Sequence, residues 1–83
     1  MMDMLVLLSA RGNIDFGQMP DRPPFGCPPD RWVRVSNMDE ASAKCRAFIE
    51  KNDLGGGNWY GGEVVSLQGN KVARIAYNGS IIK

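Results

Sequence analysis

The chain has 83 residues, of which 43% are hydrophobic, and its ten basic residues against nine acidic ones leave a net charge of +1. A single domain of this size buries only about 60–65% of its unfolded surface, and its apolar content excludes disorder throughout. The near-zero charge argues against a general polyanion binder and against an acidic DNA mimic, and with a thin core it favours self-association.

Residues 4–10 form a short apolar run followed by the turn signal Arg11-Gly12-Asn13, which favours a strand covered on both faces or central in its sheet. Residues 11–30 carry all five prolines, so neither a helix nor an interior strand runs through them. Long irregular segments of this kind are functional or disordered. Here Phe16 and Phe25 offer apolar anchors, and the prolines lower the entropy lost on ordering, so the segment is expected to lie pinned across the surface. Residues 31–36 alternate basic and apolar side chains. They predict a strand with Val33 and Val35 toward the core, Trp32 and Arg34 on the other face, and Arg31 and Arg34 on opposite faces.

The spacing predicts a helix over about 38–53. Asn37 or Ser36 caps it, with Glu40 or Asp39 completing a capping box. Met38, Ala41, Cys45, Phe48 and Ile49 fall within about 120° of arc. Asp39, Glu40, Lys44, Arg46, Glu50 and Lys51 occupy the other side, a mixed-charge face suited to water.

The helix leads into Leu54-Gly55-Gly56-Gly57-Asn58-Trp59-Tyr60-Gly61-Gly62, the stretch around which the rest is organised. Gly55 is expected in the left-handed position beyond the helix end. Gly61-Gly62 suggests a tight bend or a close approach of another backbone. Trp59 either closes one end of the core or joins Tyr60 in an aromatic contact platform. A phosphate-cradling loop does not fit, because such a loop enters a helix N-terminus, whereas this one leaves a C-terminus whose dipole repels anions. Strands then follow at 63–68, 71–77 and 80–83, joined by the two-residue turns Gly69-Asn70 and Asn78-Gly79. The class is α+β in two layers, with one amphipathic helix on a mainly antiparallel sheet of four or five strands, in the order β, long loop, β, α, β, β, β.

No catalytic constellation and no metal site emerge. The chain has no histidine, the commonest general base and the usual zinc ligand, and two isolated cysteines, Cys27 and Cys45, do not hold a metal. Asp15 and Glu63 are a conceivable acid/base pair that nothing in the sequence brings together. The serines have no elbow motif, and no cofactor is expected. No signal-peptide pattern opens the chain, so a cytoplasmic protein with reduced thiols is expected. No apolar run nears the roughly 20 residues of a membrane span. The candidate binding residues are Trp32, Trp59, Tyr60, Arg11 and Arg34, with Arg31 and Arg74 nearby. Aromatics beside arginines on a sheet stack unpaired bases, and the same residue types anchor protein interfaces. They also fill small cores.

Arg11-Gly12-Asn13-Ile14-Asp15-Phe16-Gly17-Gln18, the Leu54–Trp59 run, Gly61-Gly62-Glu63-Val64 and Tyr77-Asn78-Gly79 together resemble a group of small uncharacterised proteins encoded on plasmids, phages and integrated elements of proteobacteria. The similarity spans nearly the whole chain. It implies a mobile-element context and transfers no site. Within that context the expectation is a non-catalytic protein-binding or self-associating module. The alternatives are an inhibitor of a host defence complex of the anti-CRISPR kind and a single-stranded nucleic-acid binder using Trp32, Trp59, Tyr60 and the neighbouring arginines.

Overall fold

A computed structural model describes residues 3–13, 17–19, 21, 27 and 29–83. The expected anchors Phe16 and Phe25, and Asp15 of the acid/base pair, lie outside the described residues. Strands β1 (Met4–Leu8), β2 (Arg31–Val35), β3 (Glu63–Ser66), β4 (Lys71–Ile75) and β5 (Ile81–Ile82) form one sheet, and helix α1 (Met38–Lys51) follows β2 in the chain. The spatial order is β2-β1-β3-β4-β5, with every neighbouring pair antiparallel. This is the expected α+β architecture, with β1 inside the sheet as its apolar run requires.

Alternation along the strands separates the two faces. Val6 pairs with Val33 on one side and Val64 on the other, Met4 pairs with Val35, and Val64 pairs with Ala73. Val6, Val35, Val64, Ala73 and Ile75 are fully or almost fully buried, and the helix covers them with Ala41, Cys45, Phe48 and Ile49. The apolar stripe therefore lies where its spacing put it. Each large aliphatic side chain removed from water contributes about 1.5–3 kcal/mol before conformational entropy is counted.

Asn37 caps the helix, its Oδ1 accepting from the Glu40 N–H at 2.7 Å, and Glu40 reaches back to accept from the Ser36 N–H at 2.6 Å. At the other end the structure corrects the sequence reading. The Asp53 N–H bonds the Glu50 carbonyl and the Leu54 N–H bonds the Ile49 carbonyl, the paired bonds of a Schellman ending. Asp53, at φ 52°, takes the left-handed position, and Gly55 is extended at φ −86°. Aspartate tolerates this region better than most side chains, which leaves the glycine free for the next corner.

Both hairpin turns are one residue longer than expected. The Ser66 carbonyl accepts from the Gly69 N–H and the Ala76 carbonyl from the Gly79 N–H. The loops then close through Ser66 N–H to the Asn70 carbonyl and Ala76 N–H to the Ser80 carbonyl. Gly69 and Gly79 sit at φ 91° and 92°, so each hairpin is a β-turn followed by one left-handed residue, the common three-residue loop. The second turn is tied to the helix. Ser42 donates to the Gly79 carbonyl at 2.7 Å, Arg46 donates to the Tyr77 carbonyl, and the Arg46 guanidinium lies 5.3 Å from the Tyr77 ring centre. Arg46 is therefore a clamp, and the charged side of the helix is not given wholly to water.

Asp53→Gly is expected to stabilise the protein by about 0.5–1 kcal/mol by relieving the left-handed side chain, raising the melting temperature by roughly 3–6 °C. Calorimetry checks it, and an unchanged or lowered melting temperature would show that the aspartate side chain offsets its backbone cost.

Candidate contact surface

Residues 54–62 fold as a stitched corner. A 3-10 turn at Gly56–Asn58 is closed by Asn58 N–H to the Gly55 carbonyl, while Asn58 Oδ1 accepts from the Gly55 N–H at 3.1 Å. The Asn58 amide nitrogen donates to the Arg11 carbonyl and to Gln18 Oε1, both at 2.9 Å, and the Arg11 N–H returns a bond to the Asn58 carbonyl. One buried asparagine thus finds a partner for each of its side-chain and backbone polar groups while joining the corner to the start of the long loop.

Trp59 and Tyr60 part company, as neighbours in extended backbone must. Trp59 is buried at 8% exposure, tilted against Phe48 with ring centres 6.2 Å apart, and its indole N–H donates to the Ile75 carbonyl at 3.0 Å. This places it in the core and removes it from the set of surface contacts. Tyr60 is 60% exposed. The Arg11 guanidinium stacks over its ring at 4.5 Å. The same guanidinium forms a bidentate ion pair with Asp30 at 2.7 and 2.8 Å, and the buried Ser9 hydroxyl donates to Asp30 at 2.6 Å. Ser9 and Arg11 stand at the beginning of the long loop and Asp30 at its end, so this cluster is a clasp that closes the loop.

Alternation carries the remaining candidates to one place. Trp32 pairs with Leu7, Arg34 with Leu5, Leu5 with Val65, Glu63 with Arg74, and Arg74 with Ile82, all on the sheet face opposite the helix. Ala10 bridges to Trp59 on the core side, which puts Tyr60 on that same open face. Trp32, Tyr60, Arg11, Arg34 and Arg74 are thereby gathered on the face that the helix does not cover. Arg31, paired with Leu8, is on the helix side, as expected. Trp32 at 47% and Ile82 at 50% are exposed there.

The basic groups on this face are balanced. Arg11 is paired with Asp30, Arg34 Nε donates to Asp3 at 2.6 Å, and Arg74 stands across from Glu63. A cleft of about 400 Å³ opens at one end of the sheet between Asp3, Met4, Arg34, Leu67 and Val72, and its charged pair is this Arg34–Asp3 contact. Among the described residues no group of three or more His, Cys, Asp and Glu could hold a metal ion, and no helix is long and apolar enough to cross a membrane.

The hydrogen bond from Arg11, helped by Ser9, draws the Asp30 carboxyl down to about 2. Burial raises the Cys27 thiol, with Asp30 adding to the effect, and burial alone lifts Cys45 to about 12. Both cysteines are free thiols, and neither is a poised nucleophile. Asn58, Ser9, Asp30 and Tyr77 were not singled out from the sequence. Asn58 alone carried a local signal, as the one side chain able to donate and accept inside a glycine run. Asp30 meets Arg11 across 19 residues of chain.

Comparison with protein-family models, with curated proteins and with solved structures finds no match to this chain.

Because the folded-state pKa of Asp30 is depressed, its contribution is present above the ordinary carboxylate range and is lost as pH falls toward about 2. The pair is partly exposed, which limits the loss to about 1 kcal/mol. Denaturant unfolding between pH 5 and 2 is expected to show a shallower fall in stability for Asp30→Asn than for the wild type. Parallel curves would remove Asp30 from the account.

Proposed function

We propose that this chain is a small non-catalytic binding module that contacts protein through the uncovered face of its sheet, with Trp32 as the anchor. The observation that carries this reading is Trp32 itself, half-exposed on a face whose middle is the apolar group Leu5, Leu7 and Val65, with Ile82 at the far side. Apolar surface left open on a domain with so thin a core marks a contact site, and tryptophan and arginine are the residue types that dominate interface energies.

The charge pairing favours protein over nucleic acid. A strand of phosphates is held by cationic groups that release counterions, and here Arg11 and Arg34 already face carboxylates. Such pairs suit an interface that uses charge for register, with affinity supplied by apolar burial. The sequence resemblance would set this module in a mobile genetic element, where a host defence complex is one class of protein target.

Trp32→Ala is expected to leave the melting temperature nearly unchanged, because the side chain is largely outside the core. It should weaken protein association at least about tenfold in light scattering or against a captured partner. Trp59→Ala should instead cost about 3–5 kcal/mol of stability. An oligonucleotide titration at low salt that quenches tryptophan fluorescence, with binding lost as salt rises, would overturn the protein reading in favour of single strands.

A further inference from the structure

Strand β2 is an edge of the sheet, and the ladder fixes which of its backbone groups point outward. The Leu7 carbonyl accepts from the Gly62 N–H, and the Ser9 carbonyl from the Tyr60 and Gly61 N–H groups, so these residues turn their hydrogen-bonding groups toward the β3 side. In an antiparallel strand the intervening residues turn theirs the other way. Met4, Val6 and Leu8 therefore bond β2 through their partners Val35, Val33 and Arg31. That leaves the N–H and C=O groups of Trp32 and Arg34 directed away from the sheet. Among the described residues no backbone hydrogen bond reaches them from outside the ladder.

We propose that this edge pairs with β2 of a second copy of the chain, antiparallel about a two-fold axis at Val33, joining the two sheets into one. This rests on the reading of Trp32 as a protein contact and names the partner and the docking mode. The sequence Arg31-Trp32-Val33-Arg34-Val35 is self-complementary in this register. Trp32 of each protomer stands opposite Arg34 of the other, and the outward groups of these two residues exchange both N–H···O bonds, at both ends of the axis. The same pairing lays each guanidinium beside the other protomer's indole on the open face, a cation–π arrangement formed twice by symmetry. Val33 meets its own copy on the helix side. The Asp3 carboxylate, 2.6 Å from Arg34 Nε, offsets the charge of each arginine as the two come near. Neither a proline nor a bulge interrupts the strand.

Sedimentation of the full chain from micromolar to millimolar concentration tests the pairing. The wild type is expected to dimerise. Arg34→Pro removes an outward N–H and no ladder bond, so it should stay folded by circular dichroism while dimerising at least about tenfold more weakly. Trp32→Arg places like charges opposite each other and should also give a monomer. Mixing it with Arg34→Glu should restore a heterodimer, because Arg at position 32 then faces Glu at position 34. A wild type that remains monomeric overturns the second-copy inference while leaving the broader protein-contact reading to the Trp32→Ala measurement. Undiminished dimerisation of folded Arg34→Pro overturns it as well. Should Arg34→Pro fail to fold, absence of the restored heterodimer in the mixture overturns the proposal.

Discussion

The structure depends on how closely three backbones pass at Gly61 and Gly62. A Cβ on Gly61 would collide with the Leu7 carbonyl and the Ser9 amide of the chain leaving β1, and one on Gly62 would collide with the Ile75 carbonyl of β4. Gly62 also sits at φ 97°, where other residues are strained. Its N–H bonds Leu7 and its carbonyl accepts from Ile75, each at 2.7 Å, so one residue joins the strands on both sides of it. Trp59, two residues before Gly61, is then directed under the helix with its indole bonded to the same Ile75 carbonyl. Tyr60 is turned to the opposite face.

From that junction the rest of the molecule is ordered outward. Asn58 draws in the start of the long loop through Arg11 and Gln18, and the Ser9–Arg11–Asp30 clasp closes its two ends. Closing a loop of this length has an entropic cost that grows only slowly with its size, so a few well-placed polar contacts suffice. On the other side Tyr77 donates to the Leu54 carbonyl at 2.9 Å and receives Arg46, tying the last hairpin to both the corner and the helix. At Arg11 and Arg46 a contact over an aromatic ring accompanies the hydrogen bonds that fix the direction of the guanidinium.

Periodic features were legible in the sequence and long-range polar ones were not. The helix stripe, the alternation of β2 and the interior position of β1 follow from burial, which a local pattern records. The close approach at Gly61-Gly62 was readable for a similar reason, since a pair of glycines ahead of a strand answers a steric need. Three details escaped. The left-handed residue after the helix is Asp53 because the main-chain bonds to Ile49 and Glu50 decide the ending, and a nearby glycine does not override them. The turns gained a residue because each glycine supplies a left-handed position after a β-turn. The clasp was invisible because nothing near Asp30 announces a partner 19 residues away. The candidate contact surface was half legible. Trp32, Tyr60, Arg11 and Arg34 were named without the register that brings them to one face, while Trp59 belonged to the core.

The pairing of charges on the face opposite the helix and the outward groups of β2 both rest on the sheet keeping its register. The central junction controls that register, because a slip at Gly62 would turn every side chain of β3 to the wrong face. Native-state hydrogen exchange measures its strength residue by residue. On this account the amides of Gly62 and Ile75 and the indole N–H of Trp59 exchange only through global unfolding, with the same opening free energy as the core of β1. Exchange of these groups at the lower free energy of the β4–β5 turn, independently of the core, would contradict it.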